Sequence, residues 1–430
     1  MLNLDRESKI RKVYLGLLLF SLLVAMFVIG ASLLSGDSAK LIVSDGSGYY
    51  AWIRSLFIDG DFNFANDFPE LYYPTAPPFA TDRLTPNGLV PNKYPIGLAI
   101  VEVPGFLTAH LIAKVTPFAV DGQSLPYQLA ICGSIIALII FSFYLLYLAL
   151  INYQFNPLNA CIFSAMALFA TNLIHYFAKE PAMAHGSDVA LFNVIIFMSS
   201  LQYRPDKKTG WFNIFCGLLI GLTLIIRNTN IVFIPCFIWL FSNRINFAKI
   251  RQIGVGIALM LLVHLASLFL LWGKFTLHSY QGEGFDGGWL GLWSSLFGQG
   301  NGLFLYHPWY LVLVLLNILG LWMSSKNRWG NLAILVSFSG LWIINGFWGF
   351  AGDSFGHRAF IESIPFLTFG AVCTAERKLS LSFSNIYYVM PLLVLLISCN
   401  FYLWGGYLLQ KYPHHPERTL IQAYSWLINY

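Results

Sequence analysis

Charge is scarce in this chain: only 10% of its 430 residues are Asp, Glu, Lys or Arg, against roughly 25% in an average soluble protein. With 57% of the residues hydrophobic, a water-soluble globule is excluded. The 25 basic and 20 acidic residues leave a net charge of +5, too small and too dispersed among apolar stretches to build a nucleic-acid groove. Cysteine is sparse as well. Cys132, Cys161, Cys216, Cys236, Cys373 and Cys399 fall inside or at the end of apolar segments, with no Cys-x-x-Cys pair and no metal-ligand spacing. They read as small core residues, not as disulfides or zinc ligands. No soluble domain, internal repeat or low-complexity segment is visible, and Gly282-Glu-Gly-Phe-Asp-Gly-Gly288 has neither the strand nor the lysine of a phosphate loop. What is abundant is aromatic: 13 Trp, 22 Tyr and 37 Phe. Trp and Tyr settle at headgroup depth when a bundle crosses a bilayer. The chain is therefore an all-α, polytopic integral membrane protein.

A span needs about 20 mostly apolar residues, and Lys and Arg collect in the short loops on the cytoplasmic side. The basic start (Arg6, Lys9, Arg11, Lys12) leads into an apolar run from Val13 to Leu34 with no small-residue cleavage site, which predicts an uncleaved first span with its N-terminus in the cytoplasm. Further apolar segments lie at 96–118, 126–150, 158–178, 187–203, 211–226, 231–243, 253–272, 309–323, 329–346, 361–375 and 385–404. If all of them crossed, the Arg204–Lys208 cluster would be forced outside. Segment 96–118 carries Glu102, Pro104, His110 and Lys114, which suit a helix or broken helix lying at the interface. Demoting it alone puts every basic cluster inside and leaves about eleven spans. The membrane module is then 1–404, with 211–243 read as a hairpin of two short spans. External loops fall at 35–126, 179–186, 227–230, 273–308 and 347–360, and an external tail with a short amphipathic helix at 405–430. Chemistry is expected on that outer side, periplasmic in a bacterial inner membrane.

The first external loop reads Ser44-Asp-Gly-Ser-Gly-Tyr-Tyr50, then Ser55-Leu-Phe-Ile-Asp-Gly-Asp-Phe62, and later Lys93-Tyr-Pro-Ile-Gly97. A helical pattern at Tyr50, Ile53, Leu56 and Phe57 places Asp45 at the membrane surface ahead of an amphipathic helix. A carboxylate there can serve as a general base, and it can equally cap the helix, the reading local sequence favours. Lys179-Glu-Pro-Ala-Met-Ala-His185 adds Glu180 and His185 on the same side; His185 reads better as a hydrogen-bonded interface histidine than as a metal ligand. Arg358 sits among Gly352, Asp353, Gly356 and His357; an arginine at a bilayer surface can simply snorkel to lipid phosphate, but this setting suggests a built pocket instead. Arg227-Asn-Thr-Asn230 reads as an interfacial turn, His264 as a packing histidine. The long loop at 273–308, with His278, Glu283, Asp286 and His307, reads as a mobile cover over acceptor or lipid.

The order of first span, Asp45 followed by Tyr49-Tyr50, the Ser55–Phe62 string and Lys93–Gly97 resembles the GT-C membrane glycosyltransferases. It is similar to the bacterial relatives of protein O-mannosyltransferases and of the lipid A aminoarabinose transferase. The resemblance implies a GT-C bundle with non-crossing juxtamembrane helices in the first external loop. It also implies a polyprenyl-phosphate-linked sugar as donor, a hydroxyl acceptor and inversion at the anomeric carbon. It assigns Asp45 as catalytic base, with Glu180 at the position of a second acid, Lys93 and Arg358 on the donor phosphate, and Tyr49, Tyr50, Tyr94, His185 and His357 around the substrate. The family's second acid after the catalytic Asp is Gly46 here, so no metal or other cofactor is expected. A hexosyl or pentosyl transferase is the leading function. A transporter or flippase of a lipid-linked glycan would place paired charges at mid-bilayer. An O-antigen polymerase or ligase would carry more external arginines.

Overall fold

The computed structural model of the chain describes residues 2–35, 40–68, 84–202, 210–242, 246–276, 284–322, 325–348, 354–378, 386–413 and 418–427. Helix α1 (Leu2–Leu34) is followed by the short α2 (Asp45–Arg54), α3 (Gly97–Lys114), α4 (Leu125–Asn152), α5 (Pro157–Phe169), α6 (Leu173–Ala178), α7 (Ala184–Leu201), α8 (Gly210–Ile226), α9 (Ile234–Phe241) and α10 (Phe247–Trp272). The last third holds α11 (Gly288–Phe297), α12 (Leu303–Tyr306), α13 (Pro308–Gly320), α14 (Ser325–Trp348), α15 (Ile364–Lys378), α16 (Ile386–Leu408) and α17 (Leu420–Ser425). Turns of 3-10 helix, Asn228–Phe233 and Arg358–Ser363, lead into α9 and α15. Among the described residues, eight helices are long and apolar enough to cross a bilayer and four shorter apolar helices accompany them. With α3 set aside, seven long and four short helices give the eleven expected.

The helices turn large apolar side chains outward, among them Leu19, Leu23 and Phe27 on α1 and Leu259, Leu262 and Leu270 on α10. That is the inversion expected where the surrounding solvent is hydrocarbon. Association must then come from close packing and interhelical polar contacts. Helices α8 and α10 supply the first: Gly217 and Gly221 lie one turn apart, and a methyl group on Gly217 or Gly256 would fall on the backbone of the facing helix. Elsewhere Tyr14 donates from its hydroxyl to the Phe143 carbonyl at 3.0 Å, and Asn193 donates to Ser142 at 3.2 Å. Five of the six cysteines, Cys132, Cys161, Cys216, Cys236 and Cys373, are buried.

The two ends of the bundle are distinct. At one end, Asn152 meets Ser200, Asn159 donates to Glu376, and Lys249 donates to Gln202. At the other, Lys179 reaches Ser32 at the end of α1, and Gln128 at the start of α4 accepts from the Leu41 and Ile42 amides. Loops predicted on one face thus collect at one end. Helix α3 begins and finishes at this same end. The 10 residues of α2 extend about 15 Å, yet Trp52 donates to the Tyr94 carbonyl just before α3, and Tyr50 and Arg54 donate to the Gly122 and Asp121 carbonyls beyond it. His110, late in α3, lies 2.8 Å from the Tyr127 hydroxyl in the first turn of α4. Among the described residues of the tail beyond α16, helix is found at Leu420–Ser425, opened by a Thr419/Gln422 capping box. His414 and His415 lie outside the described residues.

Candidate active site

Helix α2 starts abruptly. Ser44 is held at φ +54°, a region that ordinary residues avoid, and Asp45 becomes the first helical residue. The Asp45 carboxylate does not cap the helix: Oδ1 accepts from the Tyr94 hydroxyl at 2.7 Å and Oδ2 from Arg358 Nη2 at 2.8 Å. Burial works to raise the Asp45 pKa. The Arg358 charge, the Tyr94 hydrogen bond and the Lys93 charge outweigh it and hold the carboxyl below the usual aspartate range. Gly46 follows because the helix lies against the second loop. A Cβ there would stand 3.0 Å from the Ala182 carbonyl oxygen, so a side chain at this position would meet that backbone closely.

The segment carrying Lys93 and Tyr94 is docked on α2 by backbone contacts. Asn92 donates to the Gly48 carbonyl at 2.7 Å and accepts from the Tyr94 amide at 3.0 Å, while Trp52 holds the Tyr94 carbonyl. The Tyr94 ring packs 4.6 Å from that of Tyr49, and the Lys93 ammonium lies 5.2 Å above it. Tyr49 faces this group; Tyr50, 100° further round the helix, turns away and donates to Gly122. His357 is also directed elsewhere, its ring 4.9 Å from Phe360, and it does not line the cavity described below. Glu180 stands beside the site, within electrostatic reach of Asp45 and Arg358, with His175 Nε2 at 3.6 Å. Burial raises its pKa, and His175 with Arg358 brings it back below the ordinary glutamate value.

Two residues that the sequence reading passed over complete the site. Arg227, expected in a mere turn, donates from Nη1 to Glu362 Oε1 at 2.9 Å, and His185 Nδ1 lies 2.7 Å from the same oxygen. Glu362 is fully buried in the turn leading into α15. A lone acid at the mouth of an apolar run was the available signal. Arg227, His185, Asp45, Lys93 and Arg358 line one cavity of about 270 Å³, together with Tyr49, Tyr94, Asn345, Trp348 and Phe285. Among the described residues its lining holds three fixed cations, Lys93, Arg227 and Arg358, of which Arg358 is paired with Asp45 and Arg227 with the buried Glu362 behind the wall. Phe285 brings the 273–308 loop to the cavity, whereas His307 is buried against Asn400, and His278 and Glu283 lie outside the described residues. A second, larger recess of about 650 Å³ is almost wholly apolar and runs between α8, α9 and α10 from Asn228 to Lys249 and His264. Asn228 borders both spaces.

No family profile and no curated protein matches the sequence. Two solved structures share its fold, both of ArnT from Cupriavidus metallidurans, a lipid A aminoarabinose transferase of the GT-C class. The apo structure matches with a TM-score of 0.50 at 15% identity, over 91% of this chain and 64% of that one. The structure bound to undecaprenyl phosphate gives 0.51 at 13% identity, over 96% and 70%. The chain therefore spans about two thirds of the length of ArnT, and its architecture is a polytopic GT-C-type bundle.

Proposed function

We propose that this GT-C-fold membrane protein is a glycosyltransferase that moves a sugar from a polyprenyl phosphate to a hydroxyl acceptor on the external face of the membrane. The observation that carries the reading is the placement of Asp45 in a cavity with Lys93, Arg227 and Arg358 on its walls. As the acceptor oxygen attacks the anomeric carbon, the bond from that carbon to the phosphate oxygen breaks and negative charge grows on the departing phosphate. Fixed cations favour that transition state over the ground state; Lys93, Arg227 and Arg358 supply them, the two arginines sharing their charge with Glu362 and Asp45 until a phosphate competes for it. The acceptor proton passes to Asp45, and attack from the face opposite the phosphate inverts the anomeric centre. Glu180 helps to orient the acceptor. The apolar recess beginning at Asn228 suits a polyprenyl chain whose phosphate sits at the cations.

In the resting arrangement Asp45 is paired with Arg358 and is a weak base. A donor phosphate competes for that guanidinium, and its arrival frees the carboxylate when a base is needed. The test is incubation of purified protein with a panel of polyprenyl-phosphate sugars, following donor consumption. Asp45→Asn should lower turnover by about 10²-fold or more while the protein still inserts and folds. Full turnover in that variant would remove the assignment.

A further inference from the structure

The cation that grips Asp45 is delivered by a short strand of chain. Ser354 is its first described residue, Gly356 turns at φ +66°, and Arg358 follows. Ser354 is buried and tied at both of its polar ends. Asn301 Nδ2 donates to its hydroxyl at 3.0 Å, the hydroxyl donates to the Gly356 carbonyl at 2.7 Å, and Arg418 Nη1 donates to its carbonyl at 3.3 Å. Arg418 comes from the C-terminal segment, 64 residues further along the chain. It is 2% exposed, with its guanidinium 5.2 and 5.1 Å from the Tyr407 and Tyr412 rings and Nε donating to the Pro413 carbonyl at 3.1 Å.

A buried guanidinium is costly to desolvate, and its planar fork holds what it touches in a fixed direction. The same wall supports the other acid of the site. The Tyr407 ring meets Phe355 at 5.6 Å and His175 at 5.2 Å, and Trp404 Nε1 donates to His175 Nδ1 at 3.2 Å. None of the described residues of 405–427 lines the cavity.

We propose that Arg418 is a positioning residue: by fixing the Ser354 carbonyl it sets the place of Arg358, and through Arg358 the phosphate-binding strength of the site. The inference rests on the transferase reading above. Its test uses the full chain in lipid nanodiscs, with binding of undecaprenyl phosphate as a readout separate from turnover. Arg418→Ala should weaken that binding on the order of tenfold, with Arg418→Lys recovering part of the loss. In the Arg358→Ala background the same substitution should cost nothing further, because its effect is already spent.

Independent losses that multiply in the double variant would mark Arg418 as a general structural group and overturn the proposal. So would unchanged binding in Arg418→Ala. Should Arg418→Ala fail to fold, Arg418→Lys set against Arg358→Ala supplies the same cycle. A wild-type protein that neither binds undecaprenyl phosphate nor consumes a lipid-linked sugar brings down the transferase reading and this proposal with it. Binding by wild type that is matched by both Arg418 variants removes the positioning role alone.

Discussion

A single carboxylate with two partners sets the chemistry at the scale of the residue. Asp45 is held below the ordinary aspartate range because Arg358 and Tyr94 together outweigh its burial. A group whose folded pKa is depressed stays ionised as pH falls, so the acid limb of kcat/KM should lie below the ordinary aspartate value of about 3.9. Tyr94→Phe deletes one of the hydrogen bonds to the carboxylate, raises its pKa and should move that limb to higher pH; an unmoved limb would mean that Asp45 is not the titrating base. The same partners contribute to folding stability above the unfolded aspartate pKa and lose that contribution as pH falls through the folded one. Asp45, Lys93, Tyr94 and Arg358 were singled out through the resemblance to the GT-C transferases, since local sequence alone favoured a helix cap for Asp45, and the fold gathers all four at one cavity. The pairing of Arg227 with Glu362, 135 residues apart, was not legible in the sequence. Neither side chain carries meaning without the other, and only the fold joins them. Tyr50 shows the converse, since neighbours on a helix cannot face one cavity together.

Helix against helix, the contacts are governed by what glycine permits. The closest approach of α8 to α10 depends on Gly217 and Gly256, where a side chain would strike the opposite backbone. Gly217→Ala should therefore destabilise the protein by roughly 1–3 kcal/mol through overpacking, read as a fall in the thermal midpoint in detergent. Gly254→Ala, on α10 beside Gly256 but facing open space, is the control that should leave the midpoint nearly unchanged. The spans themselves were readable from hydropathy, since length and apolar content dominate. Helix α3 needed a second argument. Its composition is that of a span, and charge parity, which sums over the whole chain, is the argument for reading it as a helix that does not cross.

Over the whole molecule, the sorting of loops to two ends fixes relative sidedness, and thiol labelling would fix the absolute one. Thr116, exposed just beyond α3, and Ser242, exposed at the end of α9, lie at opposite ends of the bundle. In spheroplasts an impermeant maleimide should modify Thr116→Cys and spare Ser242→Cys, with both modified after permeabilisation. The reverse pattern would place the Asp45 cavity in the cytoplasm and overturn the external assignment. The tail was the least legible part. Its sequence suggested an amphipathic surface helix, but Arg418 within it is buried beneath two tyrosines, a placement that no local pattern encodes.

The junction at Asn228 has one more consequence. With the oily recess abutting the charged chamber, the proposed transferase would take its donor without removing it from the leaflet: the donor would slide in sideways in two dimensions, and the spent carrier would withdraw along the same corridor. Saturation would then be governed by the donor's mole fraction among the surrounding lipids, and diluting the membrane with inert phospholipid should slow the proposed transfer even when the bulk concentration is unchanged.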